Sequence, residues 1–364
     1  MRLSLVCVRL IVATAAAFIT TCPCRADAVD DFVCAEMKGR HIPGASIAVV
    51  KNGKTVKVCG YGLANLEQNT PVTADTVFQI QSMTKSFTAA GILMLVEEGR
   101  VAVGDPVSKY LDGVPDAWKD ITVRHLLTHT SGIKDFINDP TQSLRLDVED
   151  DSVLKVTAAR PLNFTPGDRY QYSNTNYLLL GMIIRKVTGK PYGDWLRERI
   201  FEPLKMSNTS IYSWLDIIPH RAAGYLLSGT RWLNGQYIAP TVLAYPGGGI
   251  LSTAGDLAKW DIALSQGRLL RAETRKEMWT PARLNDGTMS HYGYGWDMGS
   301  LAGHPYQDHN GAHSSGFASS IIRFPEDHLS VIVLANVAGA DTFAIARGIA
   351  AKYIPDLAPA TGKP

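Results

Sequence analysis

Excess charge and cysteine are both scarce in this sequence. Its 364 residues include 36 Lys and Arg against 34 Asp and Glu, so the formal net charge at pH 7 is only +2. Nucleic acids and anionic lipid surfaces bind to concentrated positive charge, which a nearly balanced chain does not supply. The sequence therefore predicts no nucleic-acid partner and no binding to anionic lipid.

The five cysteines are too few to staple a small domain, whereas 46% hydrophobic residues are enough to bury a large core. This composition excludes a disordered chain and a disulfide-stapled miniprotein. Beyond the N-terminal segment only Cys34 and Cys59 remain. In an oxidising compartment they either form one bridge or stay as two buried thiols, and a thiol count on unreduced protein distinguishes the two.

No apolar run reaches the 20 or so residues that a membrane-spanning helix needs. The N-terminus instead has two arginines, an apolar stretch from Leu10 to Thr20 and the small-residue triplet Ala26-Asp27-Ala28. This pattern predicts a cleaved secretory signal over residues 1–28, a periplasmic or secreted protein and no stable membrane insertion after cleavage. An uncleaved anchor and lipidation at Cys22 are the alternatives.

Strand patterns occur near both ends of the remaining chain, and helical patterns lie between them. Asn52-Gly53, the strongest short hairpin signal, separates strands predicted at 46–51 and 54–60. This order predicts an α+β fold with one antiparallel sheet built from both chain ends, flanked by helices and interrupted by a mainly helical insertion. We place a single domain at 29–358, with its α/β part at 29–82 and 245–358 and its helical part at 83–244.

Several elements are predicted individually. The helices are expected at 29–39, 82–99, 123–128, 153–159, 177–188, 193–200, 254–264 and 341–353. The helix at 82–99 has apolar residues around most of its circumference, which predicts burial on nearly all sides. Further strands are expected at 292–297, 316–324 and 330–337, and His309 is expected at the head of the strand that runs through Phe317.

The sequence has no Gly-x-Ser-x-Gly motif, which argues against the nucleophile turn of α/β-hydrolases. It does have Ser82-Met83-Thr84-Lys85 at the start of the buried helix. Residues three apart share a helix face, so the Lys85 amine can approach the Ser82 hydroxyl. A buried amine with a lowered pKa can then accept the hydroxyl proton.

The same Ser-x-x-Lys spacing occurs twice more, so spacing alone does not identify the nucleophile. Ser131 and Lys134 enclose a glycine that indicates a helix-ending turn. Ser152 follows acidic residues and is predicted to be a helix N-cap, with Lys155 exposed beyond it. Context therefore favours Ser82.

Two other segments carry groups that could join Ser82. Tyr172 and Asn174 precede a predicted helix, and a tyrosine beside a lysine ammonium ionises more easily, so that it can act as a general base. The alternative is a loop tyrosine with a helix-capping asparagine. Farther along come His309, Asn310, Gly311 and Ala312, where a glycine lets substrate lie along the strand edge.

These three elements together, in this order, resemble the serine β-lactamase and penicillin-recognising enzymes. The resemblance is closest to the class C branch with its related esterases and D-aminopeptidases, and it covers nearly the whole mature chain. Further segments that resemble family signatures are 42–44, 78–82, 121–132, 201–204 and 248–253.

The resemblance implies a role for each group. Ser82 would be the acylating nucleophile, Lys85 its proton acceptor or electrostatic partner, and Tyr172 the general base. Asn174 would contact substrate and lysine, with His309, Asn310 and Gly311 also in the substrate-binding set. The backbone amides of Ser82 and Ala312 would form the oxyanion hole. No cofactor is implied.

One departure bears on substrate choice. Class C β-lactamases carry Lys-Thr-Gly where this chain has His309-Asn310-Gly311, and histidine is mostly neutral at pH 7. The sequence therefore favours a small ester, an amide or a D-amino-acid peptide as substrate. A β-lactamase, a D-alanyl-D-alanine carboxypeptidase and a penicillin-binding sensor without turnover are the alternatives.

Histidine pairs four residues apart occur at 125 and 129 and at 309 and 313, but neither pair has an acidic or cysteine cluster to complete a metal site. No metal is therefore predicted.

Overall fold

The computed structural model describes residues 27–139 and 143–357 of the chain, so the predicted signal segment lies almost entirely outside the described residues. Within those two ranges, no helix combines the length and apolar character that crossing a membrane requires. The helices are α1 (Ala28–Gly39), α2 (Thr84–Glu97), α3 (Val123–Leu127), α4 (Asp150–Ala158), α5 (Asn174–Thr188), α6 (Tyr192–Leu196), α7 (Pro240–Leu243), α8 (Ala254–Ser265), α9 (Ala272–Met278) and α10 (Thr342–Ala350).

The strands, in chain order, are β1 (Gly44–Lys51), β2 (Lys54–Asn65), β3 (Thr70–Pro71), β4 (Phe78–Gln79), β5 (Ser210–Ile211), β6 (Tyr225–Ser228), β7 (Arg231–Asn234), β8 (Ile250–Ser252), β9 (Asp297–Leu301), β10 (His304–His313), β11 (Phe317–Phe324) and β12 (Leu329–Ala335). Seven of them form one antiparallel sheet in the order β3-β2-β1-β12-β11-β10-β9. Both chain ends contribute to this sheet, which confirms the predicted α+β fold.

The hairpin between β1 and β2 follows directly from its two turn residues. Asn52 has φ of +52° and Gly53 has φ of +69°. Positive φ at both positions matches the twist of the flanking strands, and Asn-Gly adopts it at low cost. The strands predicted on either side of this turn are present.

The sheet separates two hydrophobic layers. On one face α1 and α10 pack against β1, β11 and β12. On the other face lies the larger core, which contains α2, α5 and α8 together with the helical insertion. Every residue of α2 from Thr84 to Leu95 is buried, as its all-round apolar pattern predicts. The start of α2 therefore lies deep between the sheet and the insertion.

Asp27, which lies within the predicted signal segment, caps the first helix. The Asp27 side chain accepts hydrogen bonds from the amides of Val29 and Asp30 and pairs with Lys57 Nζ at 2.9 Å. Cleavage after Ala28 would remove this helix cap, whereas cleavage before Asp27 would keep it.

Two strand predictions near the C-terminus were wrong. The segment 292–296 is a turn, and the strand begins only at Asp297, because the backbone at Gly295 has φ of +75° and packs against the Lys85 carbonyl. His309 and Phe317 lie on two strands, β10 and β11, joined by a turn at Gly316 with φ of +100°. Alternating aromatic residues resemble a strand in sequence, but here their rings fill the core.

Candidate active site

Ser82 lies in a single 3-10 turn, residues 81–83, directly before α2. The residue before it, Gln81, has φ of +50°, a left-handed conformation that non-glycine residues rarely adopt. Its side-chain amide donates hydrogen bonds to Gln79 Oε1 at 2.8 Å and to Ser315 Oγ at 3.1 Å. Ser315 in turn donates to Gln79 at 3.0 Å. This closed network stabilises the strained turn that presents Ser82, which is half-buried.

Lys85 is fully buried and is surrounded by oxygen atoms. Its Nζ lies 3.1 Å from Ser82 Oγ, 2.9 Å from Asn174 Oδ1 and 2.8 Å from the carbonyl oxygen of Gly247. The structure thus brings Ser82, Lys85 and Asn174 together, although Asn174 is far from the other two along the chain.

Burial lowers the pKa of Lys85 to about 7, and the negative charge of Asp135 only partly opposes this effect. A neutral amine has two N–H groups and one lone pair. The oxygens of Asn174 and Gly247 can only accept hydrogen bonds, whereas the Ser82 hydroxyl can donate one. The lone pair of neutral Lys85 is therefore available for the Ser82 proton.

Asn174, the first residue of α5, is held from two sides. Its backbone amide and its side-chain Nδ2 donate to the two carboxylate oxygens of Asp135, each at 3.1 Å. Its Oδ1 accepts from Lys85 and also from the Tyr245 hydroxyl at 2.8 Å. Sequence reasoning missed Asp135 and Tyr245. The glycine-rich segment that follows Tyr245 was a sequence signal for that residue, whereas no sequence pattern marked Asp135.

Tyr172 lies beside the Ser82 and Lys85 pair. The centroid of its ring lies 4.8 Å from Lys85 Nζ, and Ser82 is near enough to act on the pKa of its hydroxyl. Burial raises the pKa of Tyr172, so the phenol keeps its proton at neutral pH. A neutral phenol that relays a proton fits these surroundings better than the ionised base that the sequence suggested.

His129 packs against Tyr172, with ring centroids 4.3 Å apart. Its Nδ1 accepts a hydrogen bond from the Ser173 amide at 3.2 Å, and burial holds its pKa well below the usual value. A neutral His129 therefore supports the Tyr172 ring.

Across residues 27–139 and 143–357, no group of three or more His, Cys, Asp or Glu side chains is arranged to hold a metal.

Gly311 allows β10 to approach the segment that precedes Ser82. A Cβ at this position would lie 2.4 Å from the carbonyl oxygen of Ile80 and 2.6 Å from Ser319 Oγ. Any larger residue would push the strand away. The next residue along the strand, Ala312, is exposed at this edge. An oxyanion hole made by the amides of Ser82 and Ala312 stays a prediction that this close approach supports.

His309 and Asn310, the other two predicted site residues on β10, are placed differently. His309 is buried, with Nδ1 against the carbonyl oxygen of Asn310 at 2.7 Å and Nε2 against the Tyr292 hydroxyl at 2.9 Å. Burial and the nearby Lys85 lower the pKa of His309 to about 3, so it carries no charge at neutral pH. The Asn310 side chain accepts from Ser320 Oγ at 2.7 Å on the face towards α10. Only the backbone of Asn310 therefore belongs to the site.

The two other Ser-x-x-Lys serines have structural surroundings. Ser131 is buried, donates to Asn176 Oδ1 at 2.7 Å and accepts from the Ile133 amide. Ser152 lies inside the first turn of α4 instead of capping it, because the helix begins earlier, after Glu149. Ser152 and Lys155 are both exposed. Neither serine has a buried lysine beside it.

Comparison with known proteins agrees with this geometry. The family profile described as Beta-lactamase matches residues 29–353. The chain is 29% identical over 315 residues to penicillin-binding protein 4* of Bacillus subtilis, covering 82% of this chain and 69% of that protein. Across this and further curated relatives, the chain spans 62% to 69% of the relative's own length.

Solved structures have the same fold. A penicillin-binding protein homologue from Pyrococcus abyssi, described as octameric, is 30% identical with a TM-score of 0.76, covering 90% of this chain and 77% of that one. The D-amino acid amidase of Ochrobactrum anthropi SV3, solved with L-phenylalanine amide, is 27% identical with a TM-score of 0.76, covering 91% and 97%. The chain therefore belongs to the β-lactamase family and is a serine hydrolase.

Proposed function

We propose that the protein hydrolyses small esters or amides, including D-amino-acid amides, through an acyl-enzyme on Ser82. The observation that carries this proposal is the contact between Ser82 Oγ and a fully buried Lys85 whose pKa is lowered to about 7. The similarity to a D-amino acid amidase supports the amide as substrate class.

In the proposed reaction, Ser82 Oγ attacks the carbonyl carbon and its proton passes to Lys85 Nζ. That proton then moves through the Tyr172 hydroxyl to the leaving amine or alkoxide, and the bond between the carbonyl carbon and the leaving group breaks. A water molecule repeats the sequence on the acyl-enzyme, releasing the acid and returning the proton to Ser82. Backbone amides at Ser82 and Ala312 stabilise the oxyanion formed in both steps.

The neutral state of His309 bears on the choice among family substrates. A cation at this position would attract the carboxylate of a β-lactam or of a C-terminal D-alanine. Tyr292 and the Asn310 carbonyl occupy both ring nitrogens of His309, and burial disfavours its protonation. Uncharged esters and amides are therefore favoured over carboxylate-bearing substrates.

We also propose a secreted or periplasmic location, which rests on the N-terminal sequence pattern. The test is the N-terminal mass of the protein recovered from outside the cytoplasm. Loss of the first 26 to 28 residues supports the proposal, and an intact N-terminus on a cytoplasmic protein contradicts it.

A substrate panel tests the reaction itself. p-Nitrophenyl acetate, D- and L-alanine p-nitroanilide, a D-alanyl-D-alanine peptide and nitrocefin are each assayed with purified protein. Multiple turnover of the ester or the D-anilide supports the proposal. Faster nitrocefin turnover or D-alanine release would favour the β-lactamase or carboxypeptidase alternative. A persistent adduct without turnover would favour the sensor.

A further inference from the structure

Three large apolar side chains project into solvent from one loop, which we call the apolar lip (residues 214–218). Trp214 is 67% exposed, Leu215 is 73% exposed and Ile217 is 94% exposed. Single exposed apolar residues are common on protein surfaces, but three large ones in one loop indicate a binding surface.

The structure gives the lip a defined shape. Ser213 Oγ accepts hydrogen bonds from the amides of Leu215 and Asp216, each at 3.2 Å. At the base of the loop the Arg221 guanidinium stacks over the Tyr212 ring, 4.7 Å from its centroid. The loop is therefore held outward, so that its apolar side chains do not fold back onto the surface.

A cavity of about 480 Å³ adjoins the lip at Trp214. Its lining includes the exposed Trp214 and Tyr237 and the buried Gln79, Ser315 and Phe317. Gln79 and Ser315 are the residues that bind the Gln81 side chain. The cavity thus shares a wall with the turn that carries Ser82, and its volume is typical of a small-ligand site.

We propose that this cavity and the apolar lip bind an alkyl or aryl acyl chain whose carbonyl carbon is attacked by Ser82. The inference rests on the proposed esterase or amidase activity and adds the substrate class: acyl groups with a long apolar portion. Among the buried polar residues of the cavity wall, Gln79 and Ser315 are hydrogen-bonded to each other and to Gln81. Removing an apolar chain and the apolar lip from water together is favourable.

The test compares kcat/KM for p-nitrophenyl acetate and p-nitrophenyl octanoate, both kept below the concentration at which the octanoate aggregates. The wild-type protein should prefer the octanoate by about tenfold or more, as binding of several methylene groups allows. The variants Trp214→Ser and Ile217→Ser, and the double variant, should lose most of this preference through a higher KM for the octanoate. Their kcat/KM for the acetate should stay within about twofold of wild type.

Val56→Ser is the matched control, because Val56 is also an exposed apolar residue, at 53% exposure, but lies far from the cavity along β2. The cavity end of β2 is at Ala64, whose carbonyl accepts a hydrogen bond from Ala223 of the cavity wall. Val56 lies near the opposite end of that strand. The control should keep the chain-length preference. An unchanged octanoate-to-acetate ratio in the lip variants would overturn the inference, as would a wild-type preference for the acetate.

Two further measurements separate other roles of the same side chains. Phosphatidylcholine vesicles that bind wild type but not the lip variants, with an unchanged chain-length ratio, would identify a membrane-inserting tip and overturn the inference. Size-exclusion chromatography that shows self-association lost in the variants, again with an unchanged ratio, would identify a dimer contact and overturn it. Absence of acetate hydrolysis in the wild type would instead reject the proposed function.

Discussion

The segments Ser82–Lys85 and Ser152–Lys155 have the same spacing and different chemistry. Each lies at the start of a helix, but α2 is buried in the core whereas α4 packs only one face against it. Lys85 is fully buried with a pKa of about 7, and Lys155 is exposed. The comparison shows that burial and the fixed acceptors around the amine, more than the spacing, turn a serine and a lysine into a nucleophile and a base.

The two segments should differ most in the effect of removing their serines on kcat. We expect Ser82→Ala to lower kcat by about a thousandfold or more, because it removes the oxygen that forms the proposed acyl-enzyme. Ser152→Ala should leave kcat within about twofold. Steady-state assays with p-nitrophenyl acetate measure both, and thermal melting checks that each variant is folded. Comparable losses in the two variants would erase the distinction between the segments.

Replacing the two lysines should sharpen the contrast. Lys85→Arg places a permanently charged group where a neutral amine is required, and we expect a loss of kcat/KM of about 10² to 10⁴-fold. Lys155→Arg should have no measurable effect on ester hydrolysis. If Lys85→Arg retains wild-type activity at pH 8, the amine is not the proton acceptor.

Tyr172 should matter more than its aromatic neighbour Tyr170. The Tyr172 ring lies beside Lys85, with its centroid 4.8 Å from Nζ, whereas Tyr170 packs on His129 with ring centroids 6.1 Å apart. Tyr172→Phe removes the proposed proton relay and should lower kcat about a hundredfold. Tyr170→Phe should change kcat by less than threefold, so equal effects in stopped-flow assays would exclude the relay.

The pH dependence of the wild type should follow the state of Lys85. Below its pKa of about 7 the amine carries a proton and cannot accept another, so kcat/KM should fall about tenfold per pH unit. Above pH 7 the amine is neutral and the rate should level off. Measurement from pH 5 to 9 with a neutral ester tests this, and a kcat/KM that does not fall below pH 7 would mean that Lys85 works in its charged form.

The smallest effect should come from the turn before Ser82. Gln81→Ala removes the side chain that binds Gln79 and Ser315 and leaves the positive φ in place. We expect kcat to fall about tenfold and the free energy of unfolding to fall by about 1 to 2 kcal/mol. Gln81→Gly removes the same bonds but tolerates the backbone, so it should recover part of the stability in denaturant titrations.

Much of the fold could be predicted because local signals and tertiary structure agree. Asn52-Gly53 specifies its own turn, and the apolar residues around α2 require burial. The proximity of Ser82 and Lys85 follows from helix geometry alone. Bringing Asn174 and Tyr172 to the same place requires the whole insertion to fold, and the resemblance to a family supplied that expectation.

The remainder depends on long-range packing that leaves no local trace. The positive φ of Gln81 is maintained by Ser315, which lies far along the chain. Asp135 holds Asn174, which accepts a hydrogen bond from Lys85, and the charge of Asp135 also acts on Lys85 through space. The segment 292–296 alternates like a strand, yet its backbone turns at Gly295 to fit against α2.

Acylation of Ser82 is tested most directly by acid-quenching the protein during turnover of p-nitrophenyl acetate, followed by peptide mass spectrometry. The expected result is one acetyl group on the peptide that contains Ser82, which disappears as the substrate is exhausted and is absent from Ser82→Ala. An acetyl group on Ser131 or Ser152, or steady turnover with no acylated peptide at any time, would contradict a nucleophilic Ser82.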